Sequence, residues 1–539
     1  MDGKNGAGLQ SLDAVIVGAG FAGLYQLHVL RDRAGLNVRV LEAAGGIGGT
    51  WYWNRYPGAR CDSESYYYSY SFSPELEQDW VWSERYPEQP EIMRYLGHVA
   101  ERFDLMRDIQ LDTRVVAARF DAAGDRWLIE TAAGERFSAQ FLITAVGCLS
   151  TANMPGIEGI EGFAGEVYHS GQWPHGGVDF SGKRVGQIGT GSTGIQAAPV
   201  IAETAEQLVV FQRTANYSVP ARNGTMTEEQ QREIKANYAA IREKVRSTTN
   251  AHPWDVAPES ALDLSDEERR ARYEAAWEKG GLRFRAAVRD MLTDPAANET
   301  AAEFIRGKIR QIVHDPAIAE RLTPRDHPFA AKRPPIDTNY FETFNRDNVT
   351  LVDLRATPIE RIEPGGVRTS EALWALDVLV FATGFDAMTG PLLALNLQGD
   401  GGCTLREAWR AGPRTYLGLQ IPGFPNLFTI TGPGSPSVLT NMPTAIEQHA
   451  DWIADCITRM RASGLRRIET TQAAADEWGV EVARAADATL LPMASSSWYL
   501  GANVPGKPRV FMPYAGGMAH YAGLCRAVAA GDYRGFERR

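Results

Sequence analysis

Gly18-Ala19-Gly20-Phe21-Ala22-Gly23 and Gly189-Thr190-Gly191-Ser192-Thr193-Gly194 share one spacing, and the residue 24 positions after the first glycine is Glu42 in one and Arg213 in the other. In a G-x-G-x-x-G turn the glycines permit a tight passage from strand to helix and let backbone N–H groups at the helix N-terminus approach a pyrophosphate. Two such turns predict two dinucleotides. An acidic residue closing the second strand accepts hydrogen bonds from a free ribose diol and repels a 2′-phosphate, whereas arginine attracts that phosphate. Glu42 therefore predicts FAD or NAD at the first turn, and Arg213 predicts NADP at the second. The simplest protein holding both a flavin and NADPH is a flavin-dependent oxidoreductase.

The flanking sequence supplies the elements such turns need. Ala14 to Val17 reads as a short buried strand running into Gly18, residues from about Ala22 to Arg33 as a helix, and Val38 to Leu41 as the strand ending at Glu42. Lys183 to Ile188, a helix from about Thr193 to Thr204 and the run Leu208 to Phe211 repeat that order around the second turn. From Pro220 to about Arg325 the composition becomes charged and alanine-rich, with Thr227-x-x-Gln230 and Ser265-x-x-Glu268 as capping boxes that open helices. The charge runs of this insertion are read as solvated helix faces. Strand-like sequence resumes at Val349 to Val352 and at Asp377 to Gly384. Thr440-Asn441-Met442-Pro443 opens a helix running to about Ile457, with proline in its first turn.

The expected fold is α/β, with two dinucleotide-binding Rossmann-like domains and a helical insertion. Residues 1–148 and 386–539 are assigned to the first domain, 149–219 and 329–385 to the second, and 220–328 to the insertion. A chain of 539 residues with 44% hydrophobic side chains is long enough for such cores. Its net charge of −11 opposes general attraction to nucleic acid or anionic lipid. Five cysteines without a C-x-x-C pair suggest reduced thiols, and Met1 to Leu12 is polar, so a cytoplasmic protein is expected, with no membrane partner. The nine histidines show no metal-ligand spacing.

Two longer patterns carry a resemblance. Phe163-x-Gly165-x-x-x-His169-x-x-x-Trp173-Pro174 precedes the second turn, and Gly48-Gly49-x-Trp51-x-x-x-x-Tyr56-Pro57-Gly58-x-x-x-Asp62 follows the first. Both resemble signatures of the Baeyer–Villiger monooxygenases, flavoenzymes that insert an oxygen atom beside a ketone carbonyl. The likeness runs from Asp13 to about Phe536. Gly432 to Ser437 and Ser497 to Asn503 bring it nearest to the phenylacetone and steroid monooxygenase branch.

The resemblance implies that NADPH reduces FAD and that a C4a-peroxyflavin attacks the ketone, giving an ester or lactone. Arg333 matches the family's catalytic arginine, and Asp62 would hold its guanidinium. A permanent positive charge there favours the peroxide anion and the oxyanion formed on attack. Lys332 would join Arg213 and Thr214 on the 2′-phosphate of NADP. Thr50, Trp51, Tyr52 and Trp53 would pass along the flavin, Tyr68 matches a flavin contact, and Val115 matches the residue whose backbone meets the adenine. The helix beginning at Met442 would aim its positive end, and the Met442 N–H, at the flavin. Trp498 matches a tryptophan that reaches the nicotinamide ribose. His169 is assigned a hinge or orienting role and no proton transfer.

Oxygenation of nitrogen or sulfur by a related flavin monooxygenase is the alternative, and a flavin- and NADP-binding redox sensor is another. Trp173-Pro174 and Arg333 favour the ketone reaction. The expected partners are a small ketone and dioxygen, acting on a monomer. Which ketone reacts is not readable from the sequence.

Overall fold

The computed structural model describes residues 9–539, so residues 1–8, and with them most of the polar stretch from Met1 to Leu12, lie outside the described part. Gln10–Val17 is the strand that enters the first glycine turn. It pairs in parallel with Val38–Leu41 on one side and Arg136–Thr144 on the other. The same sheet takes in Ile109–Gln110, the antiparallel pair Val115–Asp121 and Arg126–Thr131, and two strands from far along the chain, Leu397–Gln398 and Leu427–Thr429.

A second sheet is parallel throughout. Its order is Val349–Asp353, Gln207–Gln212, Arg184–Ile188, Val378–Phe381 and Glu166–His169. Val378–Phe381 pairs on both sides and buries every residue, which is why its sequence is continuously apolar instead of alternating. Each glycine turn leads into a helix. After the first, Phe21–His28 is α-helical and Val29–Arg33 continues as a wider π-helical turn, closed by the Ala34 N–H donating to the Val29 carbonyl at 3.0 Å. The single helix expected to Arg33 is thus two segments. After the second turn the helix spans Ser192–Thr204.

The insertion is helical: Glu228–Ser247, Asp266–Lys279, Pro295–Ile312 and Pro316–Leu322. Both capping boxes form, so the orphan N–H groups at two helix starts are satisfied locally. Ala297, Ala301, Ala302, Ile305 and Ile309 recur at helical spacing and bury one face against Trp277, Phe284 and Phe329. The reading of the charge runs as solvated faces needs correction at Arg242. That side chain is buried, pairs with Glu77 at 2.6 Å and donates to the carbonyls of Tyr67 and Tyr70, which fastens the insertion to the first sheet's loops.

The chain leaves for the insertion through Val219–Pro220 and returns through Ile336–Asp337, and these two segments pair in parallel. Arg333 lies just before the returning strand and is therefore anchored by it. Asp337 is buried in this ladder and accepts from the Ser218 hydroxyl at 2.6 Å. Burial pushes its carboxyl up to about 7, against the hydrogen bond from Ser218. Between about pH 4 and pH 7 the folded protein then keeps a proton that the unfolded chain has released, so stability falls as pH rises through that window. Full ionisation of Asp337 costs on the order of 4 kcal/mol. Asp337→Asn should therefore melt higher than the parent at pH 8, with the gap closing toward pH 5. Calorimetric melting of both proteins across that range checks this, and a pH-independent gap would refute the assignment.

Candidate active site

Arg333 and Asp62 meet in a two-point ion pair. Arg333 Nε donates to Asp62 Oδ2 at 2.5 Å and Nη2 donates to Oδ1 at 2.9 Å. A third bond runs from Nη1 to the Val438 carbonyl at 3.0 Å. A guanidinium carries five N–H donors, so this arrangement fixes its plane and leaves one N–H on each terminal nitrogen for a ligand. Burial works against the charge, but the Asp62 carboxylate outweighs it and holds Arg333 above the ordinary arginine value. The side chain is therefore a permanent cation.

The surrounding groups come from both ends of the chain. Trp51 Nε1 donates to the Tyr68 hydroxyl at 3.1 Å, and the Tyr68 ring meets Phe21 edge-on at 5.4 Å. The first glycine turn, the stretch Thr50–Trp53 and Tyr68 thus form one packed unit. Within that stretch Thr50 is exposed, Trp51 is buried, and Tyr52 packs against Trp53 and His175. The Trp53 carbonyl accepts from the Trp173 N–H at 3.4 Å, which joins the two long sequence patterns. Val115 sits at a β-bulge at the start of its strand. Ser437–Leu439 is a short turn whose Val438 reaches Arg333, and after Thr440 and Asn441 a helix begins at Met442 and runs to Ala462, longer than expected. Asn441, at its N-cap, donates to the Tyr67 carbonyl at 2.8 Å. Trp498 is half-buried in a small apolar cluster with Val438, Met388 and Met512.

Both glycine turns have the form a pyrophosphate requires. A Cβ on Gly23 would stand 1.8 Å from the Gly18 carbonyl oxygen, and one on Gly194 would stand 2.2 Å from that of Gly189, so only glycine lets helix and strand approach. Above Gly191 a Cβ would meet nothing within 4 Å, and neither helix start has a side-chain cap or an acidic first-turn residue. Among the described residues no side-chain acid meets their first-turn N–H groups. Glu42 lies beneath the first turn, accepting from Ala19 N–H at 2.6 Å and Ala44 N–H at 2.8 Å. Burial pushes its carboxyl up, partly offset by those donors. At the second turn the Thr190 hydroxyl donates to the Thr214 carbonyl at 2.9 Å, tying the glycines to the strand end that carries the exposed Arg213. Lys332 has no hydrogen-bond partner among the described residues. Burial, Arg213 and Arg355 push its ammonium down, against the pull of Asp326. Two close cations of which neither has an acid of its own call for an anion.

The flavin-binding monooxygenase-like family matches residues 13–225. A Baeyer-Villiger monooxygenase of Pseudooceanicola batsensis is 45% identical over 97% of this chain and 95% of its own length. A phenazine N-monooxygenase of Lysobacter antibioticus is 42% identical, covering 97% and 96%. The solved structure of an oxidised steroid monooxygenase bound to NADP is 55% identical, with a TM-score of 0.94 over 98% of this chain and 99% of that one. The chain belongs to the Baeyer–Villiger monooxygenase family.

Within this Baeyer–Villiger scaffold His169 is neutral at physiological pH. Burial pushes its imidazole down, its Nδ1 accepts from Gly171 N–H at 3.0 Å, and its Nε2 lies 3.4 Å from the Thr383 hydroxyl. Thr383 in turn donates to the Asn153 carbonyl at 2.7 Å, so His169 stitches together both crossings between the sheets. Sequence reasoning missed Arg285, and it took in Tyr499 only as part of the Ser497 to Asn503 segment, with no role. Both stand within Coulomb reach of Arg333, from the insertion and the C-terminal segment respectively. Glu64, buried and bound by Arg85 and Arg283, was equally hidden; burial opposes its charge, but those two arginines hold its carboxyl low. A cavity of about 760 Å³ lies beside this trio, but neither Arg333 nor a fingerprint glycine lines it. Among the described residues no helix is long and apolar enough to cross a membrane, and no cluster of three His, Cys, Asp or Glu could hold a metal ion.

Proposed function

We propose that Arg333, oriented by Asp62, is the catalytic centre of an NADPH- and dioxygen-dependent oxidation of ketones to esters or lactones. Bound FAD, reduced by NADPH, supplies the activated oxygen. The free N–H groups of Arg333 then face the negative charge that grows on the ketone oxygen when the carbonyl is attacked, and a fixed cation needs no reorganisation to stabilise it. The observation that carries this reading is the two-point Arg333–Asp62 pair, which leaves donors free in a defined plane.

FAD is assigned to the first sheet. Gly18, Gly20, Phe21 and Gly23 receive its pyrophosphate, Glu42 the ribose diol, and Val115 the adenine. Thr50, Trp51, Tyr52, Trp53 and Tyr68 would run beside the flavin, with Asp62 and Arg333 at its reactive edge. The uncapped start of Met442–Ala462 favours negative charge on the reduced ring. NADP is assigned to Gly189, Thr190, Gly191, Ser192, Thr193 and Gly194, with Arg213, Thr214 and Lys332 on its 2′-phosphate and Trp498 near the nicotinamide ribose. The division into residues 1–148 with 386–539, 149–219 with 329–385, and 220–328 is supported by which strands share a sheet.

A second reading, oxygenation of an aromatic nitrogen, is favoured by one observation, the 42% identity to the phenazine N-monooxygenase. Mass spectrometry of products from ketones, sulfides and aromatic amines, with NADPH and isotope-labelled dioxygen, separates the two. Labelled ester or lactone is the expected product; labelled N-oxide or sulfoxide with no ester would overturn the proposal. Arg213→Ala combined with Lys332→Ala should raise the KM for NADPH at least tenfold while that for NADH moves by less than about threefold, since each charge-assisted phosphate contact is worth about 1.5–3 kcal/mol. Equal effects on both donors would reject the phosphate assignment.

A further inference from the structure

Arg285 lies on the 3-10 helix Gly281–Ala286 of the insertion, within Coulomb reach of Arg333. Among the described residues no carboxylate pairs with it and no acceptor takes its N–H groups; its Nε is fully buried without a partner. Its neighbour Arg283 is different, being bound to Glu64 at 3.1 Å and lying 4.9 Å above the Trp254 ring. The Arg285 side chain is half-buried.

Tyr499 stands within Coulomb reach of both arginines and is 1% exposed; its buried hydroxyl oxygen faces the Arg333 backbone N–H, while its O–H finds no acceptor among the described residues. Of the other titratable groups here, Asp62 favours the Arg285 charge only from a distance and forms no ion pair with it. Asp62 is committed to Arg333 and Glu64 to Arg85 and Arg283. His252 stacks on Trp254 at 4.5 Å, and burial together with Arg333, Arg285 and Arg283 pushes its imidazole far down, so it is neutral. Burial and then Arg333 push Arg285 itself down to about 10, which leaves it charged at neutral pH. One guanidinium therefore sits beside the site with no ion-pair partner of its own among the described residues, an arrangement whose desolvation cost is best recovered when an anion arrives.

We propose that Arg285 and the Tyr499 hydroxyl form a carboxylate subsite beside the Arg333–Asp62 pair, so that the preferred substrates are oxo acids, with the ketone at Arg333 and the carboxylate at Arg285. Arginine offers paired donors matched to a carboxylate's two oxygens, and the phenol adds a further donor. The proposal rests on the reading of Arg333 as the place where the ketone reacts. The same donors could instead take a phosphate of the dinucleotide, and the test separates the two sources.

The test measures kcat/KM for a ladder of oxo acids of increasing chain length, each paired with its methyl ester. The parent should prefer the best acid over its ester by about 30-fold, as expected for a desolvated charge pair. Arg285→Met should reduce that ratio to near one, and Tyr499→Phe should reduce it by about 3–10-fold, as for one lost hydrogen bond. A simple aliphatic carboxylate should inhibit oxidation of a neutral ketone competitively in the parent and not in Arg285→Met. Equal use of acid and ester by the parent overturns the proposal, whether or not the variants fold. A raised KM for NADPH in Arg285→Met with the acid-to-ester ratio unchanged also overturns it, because the anion is then the dinucleotide's. If no ketone is oxidised at all, it is the reading of Arg333 that fails.

Discussion

One ion pair joins the parts of this molecule that have to act together. Asp62 belongs to the loops of the larger sheet, Arg333 to the segment returning from the insertion, and Val438 to the turn before the helix Met442–Ala462. As a source of stability the pair is a poor choice, since desolvating two charges consumes most of their attraction, and a well-packed apolar substitute often does as well. As a positioning device it is effective. Two bonds to one carboxylate and a third to a carbonyl leave the guanidinium no freedom to rotate, while its charge persists at any pH the protein meets.

The two glycine turns illustrate how similar backbones are told apart by their surroundings. Both place uncapped helix starts over close strand contacts. At the first, the strand-closing residue is a buried acid held by backbone N–H groups. At the second, it is an exposed arginine with a lysine nearby and no acid dedicated to either. The difference in dinucleotide preference proposed for the two sites therefore resides in a few side chains at strand ends, outside the glycines themselves.

Much of this was legible in the sequence, because the relevant signals are local. Glycine spacing, apolar runs and capping boxes act over a few residues, and the two long patterns carry Trp51, Asp62, His169 and Trp173 in fixed register. Element ends were less legible: hydrogen bonding across the sheet extends Gln10–Val17 well before Ala14, and tertiary packing carries the helix from Met442 on to Ala462. What stayed hidden depends on contacts between distant segments. Arg333's third partner is a backbone carbonyl, which any residue supplies. Arg242 and Arg285 sit in a charge-rich insertion that periodicity alone assigns to solvent, and only the folded chain turns them inward.

The central claim is that a fixed guanidinium at position 333 stabilises the charge formed as the ketone is attacked. Its most direct test is Arg333→Ala, assayed for flavin content by absorbance, for NADPH oxidation, and for ester by chromatography. The account predicts a protein that keeps FAD and still oxidises NADPH but forms no detectable ester. Ester produced at the parent's rate would contradict it.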